Sequence, residues 1–301
     1  MNGTTVGNRF AHDRQTRRSL VPFPVLPLLI AAATGAMLAG CGTVGTLGQG
    51  SNVAVVDKAN PDSRVNIDSL SNVIRSNPND AVAYNTRGAA FARQGQYSDA
   101  IRDFSQAIAL DPAYAAAYTN RALAQRQVGR DDAALGDFTQ AITADPNYAA
   151  AYVGRANLLR ARGDTTQALA DLSRAIAINP EAAEAFHARG LVHQRLGNHQ
   201  DAIRDFDAAI DRDPFVAAPY TARGQSLIEV GRFDKAVEDF NASLNVDNRN
   251  ADAWAARGVA LERLGKTREA TESYQRAQAI DDRNRVARDG LSRLSRGNRL
   301  F

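Results

Sequence analysis

The sequence predicts an all-α solenoid of six helical hairpins, and three observations carry that prediction. From Ala81 to Asn284 the chain runs through six consecutive 34-residue units with no insertion. Within each unit, apolar or small side chains recur three or four residues apart in two separate runs. That is the spacing of two amphipathic helices. A glycine divides the two runs in every unit, and a proline follows the second run in four of them. Such a hairpin cannot bury its apolar faces alone and has to stack on its neighbours.

The units begin at Ala81, Ala115, Ala149, Ala183, Ala217 and Ala251. Position 4 is aromatic throughout: Tyr84, Tyr118, Tyr152, Phe186, Tyr220 and Trp254. Position 8 is Gly88, Ala122, Ala156, Gly190, Gly224 and Gly258, small enough for two helix backbones to approach closely. Position 15 is glycine from Gly95 to Gly265, as a left-handed helix terminus requires. In the second helix, position 20 is alanine six times and position 24 is Phe104, Phe138, Leu172, Phe206, Phe240 or Tyr274. Position 32 is Pro112, Pro146, Pro180 and Pro214, then Asn248 and Asp282; proline there cannot continue the helix.

Residues 61–80 read as a capping half-repeat. Val65, Ile67, Leu70, Val73 and Ile74 have second-helix spacing, which predicts a helix from Asp62 to Ser76. Residues 285–301 read as a C-terminal capping helix on Val286, Leu291 and Leu294 with a basic tail, including Arg283, Arg285, Arg288, Arg293, Arg296 and Arg299 close by.

Residues 1–40 have the layout of an export signal. Arg9, Arg14, Arg17 and Arg18 precede an apolar run from Leu28 to Leu38, too short for a membrane span of ~20 residues. Arg17-Arg18 also fits a twin-arginine signal as well as an ordinary basic segment. Residues 41–60 then form a Gly/Thr/Ser/Asn-rich tether. Gly40–Gly45 matches the dinucleotide pattern G-x-G-x-x-G, but no strand precedes it and no amphipathic helix follows.

At 301 residues, 44% apolar and 23% charged, the chain is long enough for a sizeable core. The single cysteine excludes a disulfide framework, a cysteine-based zinc site and an iron–sulfur cluster. A pI near 9.2 suggests nucleic acid until the charges are located. Residues 1–40 hold four basic side chains and one acid, Asp13, so the rest of the chain carries 32 of each sign. No nucleic-acid partner is expected of an exported, neutral chain.

Nor is catalytic machinery expected. His187, His193 and His199 are six residues apart, 240° around a helix each time, and do not converge on a metal. Gly265-Lys266-Thr267 resembles the end of a P-loop, but Ala260 stands where its first glycine belongs. Arginine at position 7 in all six units recurs with aspartate at position 23 in five, which favours an Arg–Asp pair between the two helices over a ligand-binding ladder. No cofactor is implied.

The 34-residue register of aromatic 4, small 8, glycine 15, alanine 20 and proline 32 resembles the tetratricopeptide repeat family. The resemblance implies a right-handed superhelix whose first helices line a concave groove, with positions 2, 5, 6, 9, 12 and 13 facing it. Carried over by register, repeats 1–3 place Asn85, Arg93, Asn120, Arg126, Asn157 and Arg160 there, and repeats 4–6 place Glu184, His187, Gln225, Glu229, Asp252 and Glu262. The asparagines are suited to a peptide backbone and the arginines to a carboxylate. This groove is expected to bind protein or peptide partners, with their acidic end toward repeats 1–3.

Leu38-Ala39-Gly40-Cys41 is similar to the lipobox of bacterial lipoproteins at all four positions. That resemblance implies cleavage before Cys41, its acylation, and a membrane anchor through the lipid. Gly42, in place of the aspartate that retains such proteins at the inner membrane, favours the outer membrane, facing the periplasm. Together the features resemble NlpI-like envelope lipoproteins and imply a scaffold for envelope partner proteins. Two alternatives stand beside it: a pilotin of type IV pili, also a lipoprotein of tetratricopeptide repeats, and a glycan-binding accessory of cell-wall enzymes.

Overall fold

The computed structural model describes residues 63–297, with side chains for 67–296. The expected export signal, Cys41, the tether and the end of the basic tail lie outside the described residues. Helix α1, Ser63–Ser76, precedes six hairpins: α2 (Ala81–Arg93) with α3 (Tyr97–Leu110), α4 (Ala115–Gln127) with α5 (Asp131–Ala144), and α6 (Ala149–Arg162) with α7 (Thr165–Ile178). Next come α8 (Ala183–Arg195) with α9 (His199–Arg212), α10 (Ala217–Glu229) with α11 (Phe233–Val246), and α12 (Ala251–Arg263) with α13 (Thr267–Ile280). Helix α14, Arg285–Gly297, closes the row, and no strand occurs among the described residues.

The core follows the register. Phe104, Phe138, Leu172, Phe206, Phe240 and Tyr274 are fully buried, with the alanines at position 20 beside them. Small residues in the first helices make room for these rings. A Cβ on Gly190 would lie 2.5 Å from Phe206 Cε1, and one on Gly154 only 2.3 Å from Phe138 Cε1. The position-4 aromatics do not join that fully buried set and are mostly half-buried. Their rings instead carry the position-7 guanidiniums, 5.6 Å away at Trp254–Arg257 and 5.7 Å at Tyr84–Arg87.

Each turn has its own device. Glycine 15 takes φ between +73° at Gly265 and +88° at Gly163. The chain beyond it bonds back to the helix, as in Gln96 N–H to Phe91 O at 2.9 Å and Gly95 N–H to Ala92 O at 3.0 Å. Between hairpins, the Asp or Asn at position 31 accepts a hydrogen bond from the N–H two residues on, as Asp111 does from Ala113 at 3.0 Å. Asp247 and Asp281 do the same, each at 3.0 Å, where Asn248 and Asp282 replace proline. That carboxylate turn explains why the last two units hold their shape without proline 32.

Arginine 7 stitches the row together. Arg189 grips Asp205 with two bonds of 2.9 and 2.7 Å, and equivalent forks join Arg87–Asp103, Arg121–Asp137, Arg155–Asp171 and Arg223–Asp239. The remaining nitrogen reaches the preceding hairpin, as in Arg121 to Ser105 Oγ at 3.0 Å and Arg223 to Asp207 at 2.6 Å. In the sixth unit Ser273 replaces the aspartate, and Arg257 bonds Ser273 and Asn241 instead, both at 2.6 Å. These pairs hold the arginine column inside the structure, away from any ligand.

Candidate functional site

The first helices of successive hairpins touch one another, α2 to α4 and onward to α12 and α14, whereas no two successive second helices do. The row therefore curves with its first helices inside, and their free face is the concave surface. Three regions follow along it.

In repeats 1 and 2 the floor is polar and closed. Asn85 donates to the Tyr114 hydroxyl at 3.2 Å, and Asn120 donates to Asn85 Oδ1 at 3.0 Å. Both asparagines are buried, with Asn120 only 4% exposed. The two asparagines thus bind each other and a tyrosine, while Asn120 Oδ1 is a buried acceptor without a partner. Position 34, which supplies Tyr114 and Tyr148, went unread because its residues lie about 30 positions from the asparagines and recur in only two units. Burial pushes the Tyr148 phenol up to about 12, with Tyr114 and Asp145 adding to the shift.

The middle of the face is cationic. Arg126, Arg160 and Arg195 stand in the last turns of α4, α6 and α8, where cations suit the helix dipole. Arg195 donates to the Arg160 carbonyl at 2.7 Å. Arg160 is half-buried, and its Nε is a buried donor without a partner. Burial, then the charges of Arg195 and Arg126, hold its guanidinium below the usual arginine range. Burial also lowers His187, and the Arg160 charge lowers it further; its ring lies 5.8 Å from that of Phe206. Asn157 of α6 is half-buried, as is Arg93 at the end of α2. Glu184 belongs elsewhere, in a 410 Å³ depression at the turn edge with Glu181, Arg212 and Asp213. His193 and His199 each bury an unpartnered Nδ1, and His193 Nε2 is 3.9 Å from Asp205.

The third region is an open depression of about 290 Å³ between α10 and α12. Ile228, Ala255, Ala256 and Val259 form its apolar floor, with Gln225, Glu229 and Asp252 on its rim. Val286 completes the lining from α14. It was expected among the packed residues of the cap, but it is 46% exposed. Asp252 accepts from Asn284 at 2.9 Å. Glu262 does not face the groove as a free acid. Arg293 of α14 binds both its oxygens, at 3.1 and 2.8 Å, and the Tyr274 hydroxyl donates at 2.7 Å. Those donors, Arg293 first, hold its carboxyl below the usual range. The pairing was invisible in the register because Arg293 lies beyond the repeats. Among the described residues no three His, Cys, Asp or Glu side chains are grouped for a metal, and no helix is long and apolar enough to cross a membrane.

A row of stacked helical hairpins with a concave inner face defines an α-solenoid. Models of the tetratricopeptide repeat match residues 88–129, 156–197, 115–148, 183–215 and 221–285. The chain belongs to the tetratricopeptide repeat proteins. Its fold is similar to the Cut9–Hcn1 hetero-tetramer of the APC/C (TM-score 0.68, 20% identity, covering 77% of this chain and 46% of that one). This chain thus spans about half the length of that relative. It is also similar to PilF of Pseudomonas aeruginosa (TM-score 0.65, 15% identity, 71% and 97% covered). A third likeness is to YrrB, described as having an unusual peptide-binding site (TM-score 0.52, 24% identity, 61% and 95% covered). No curated protein matches the sequence.

Proposed function

We propose that this chain is a non-enzymatic scaffold that holds an extended segment of a partner protein along its concave face. One observation supports the reading above others. The 290 Å³ depression over Ile228, Ala255, Ala256 and Val259 is open, apolar-floored and rimmed by acids, on the face where first helices meet. Such a depression accepts a side chain from an extended peptide, and YrrB lends the precedent of peptide binding on this fold.

The proposal extends to the bacterial envelope. Cys41, at the end of Leu38-Ala39-Gly40-Cys41, would be acylated and anchor the solenoid at the membrane, on the outer membrane's periplasmic side. The partners would then be envelope proteins. Crosslinking and affinity capture from envelopes, with wild type and Ile228→Glu compared, tests the groove. Partners lost from the variant are the expected result; partners retained by it would refute groove binding. Labelling with a lipid precursor tests the anchor, since Cys41→Ser should abolish it and persistent labelling would overturn the assignment.

A further inference from the structure

Position 12 stands where one first helix meets the next, and on both sides of the apolar depression that place is filled from within the chain. Between α8 and α10, Gln194 donates to the Ala222 carbonyl at 3.0 Å and to Ser226 Oγ at 3.1 Å. Between α12 and α14, Glu262 is bound by Arg293. Between α10 and α12 the same position is Ile228, which with Ala255, Ala256 and Val259 leaves about 290 Å³ open. Val286 adds its side chain to the lining from α14 and stays 46% exposed. The rim has one sign. Glu229 ends α10, Asp252 lies in the first turn of α12, both are exposed, and neither has a cation partner among the described residues. The arginines at position 13 of the flanking repeats are engaged elsewhere: Arg195 donates to the Arg160 carbonyl at 2.7 Å, and Arg263 lies over the Phe233 ring at 5.9 Å. The first helices run parallel, with Glu229 at position 13 and Asp252 at position 2 of their units. The two acids therefore stand about 16 Å apart along the depression, at ~1.5 Å of helix rise per residue.

We infer that the depression between α10 and α12 takes a partner segment that carries a basic side chain on each side of an apolar one. The inference rests on the peptide-holding reading above and specifies the segment. Alternate residues of an extended chain share a face, so a basic–x–apolar–x–basic stretch presents all three side chains to the groove together. Its two cations stand ~13 Å apart at ~3.3 Å per residue, and their long stems make up the remainder to Glu229 and Asp252. The central apolar side chain covers Ile228 and Val259, whose burial supplies the affinity. Lysine and arginine suit the ends because their methylene stems lie along apolar surface while the charged head reaches the rim. The rim carboxylates fix the register of the segment and oppose an acidic one by like charge.

The test uses the full chain and a displayed library of random decapeptides selected on wild type. Selected peptides should be rich in the basic–x–apolar–x–basic pattern. Their affinity should fall by roughly tenfold or more for the Glu229→Gln/Asp252→Asn variant and hold for Glu238→Gln, an exposed acid on a second helix. Asp252→Asn leaves an oxygen to accept from Asn284, so the variant keeps that junction. Selected peptides that lack the paired basic residues, or that bind the double variant equally well, would overturn the inference while leaving the peptide-holding reading intact. If no peptide is selected, that reading fails. The inference is then judged on the peptide Gly-Lys-Ser-Leu-Ser-Lys-Gly at millimolar concentration, by NMR of the Ile228 and Val259 methyl groups. Larger shifts than those caused by Gly-Glu-Ser-Leu-Ser-Glu-Gly support it, and equal shifts or none overturn it.

Discussion

Replacing Asp205 by serine converts the fourth repeat to the chemistry that the sixth repeat already has, which makes the arginine column measurable against itself. Asp205 is 6% exposed and accepts two charge-assisted bonds from Arg189, whose side chain is 24% exposed. Hydrogen bonds to charged groups contribute about 1.5–3 kcal/mol each, and part of that returns as the guanidinium rehydrates and the serine accepts one bond. The net cost of Asp205→Ser is therefore about 2–3 kcal/mol. For a domain of this size that is a fall of roughly 5–10 °C in Tm. The reverse change, Ser273→Asp, gives Arg257 the anion it lacks. Burial lowers that guanidinium's proton affinity, and an added carboxylate should stabilise by about 1 kcal/mol after its own desolvation. Urea denaturation followed by circular dichroism measures both, and hydrogen exchange should show the loss concentrated in α8 and α9, because a solenoid feels a defect mainly in its own and adjacent repeats. Lys235→Ala, which removes the exposed pair with Glu238, is the control. If Asp205→Ser costs no more than this control, the ladder does not hold the repeats together and the reasoning fails.

Gly154→Ala should destabilise by about 1–3 kcal/mol, since the new methyl would sit 2.3 Å from Phe138 Cε1; an unchanged denaturation midpoint would contradict the close approach. The docking of α14 should weaken in acid. The Glu262 carboxyl is depressed in the folded state, so its contribution is present above the unfolded value of ~4.3 and is lost as pH falls through the lower folded one. Exchange protection of α14 should therefore drop below about pH 4, and Arg293→Ala should remove that dependence; equal protection at pH 3 and pH 6 would refute it.

The fold was legible because every unit states it again. Glycine 15, alanine 20 and the bulky residue at 24 each have one physical reason, and six repetitions leave no competing period. The Arg–Asp column was legible for the same reason, as two charges of opposite sign kept a fixed 16-residue separation. What escaped were contacts made once. Tyr114 reaches back 29 residues to Asn85, and Arg293 reaches back 31 to Glu262. Neither belongs to a repeated column, so the register could place Asn85, Asn120 and Glu262 on the inner helices without revealing that they are already engaged. Position 31, with its Asp or Asn turn, is also a repeated column, and its residue type marks the turn as plainly as the proline beside it.

This difference between columns also bears on where partners are recognised. A position that stays the same in every repeat is one that each neighbour demands, and its chemistry is spent on the stack, as Arg189 is on Asp205. A position that changes from repeat to repeat is released from that demand. Positions 12 and 13 change sign along the row, from Arg126, Arg160 and Arg195 to Glu229, on helices whose packing residues hardly vary. Glu262 shows how such a position is closed when selectivity is not needed: the cap helix brings Arg293 to it, and its carboxylate is satisfied within the chain. The arginines of repeats 2–4 received no such cap. Among the described residues no carboxylate is brought to Arg126, Arg160 or Arg195 as Arg293 is brought to Glu262, so these positions keep a charge that the stack itself does not use.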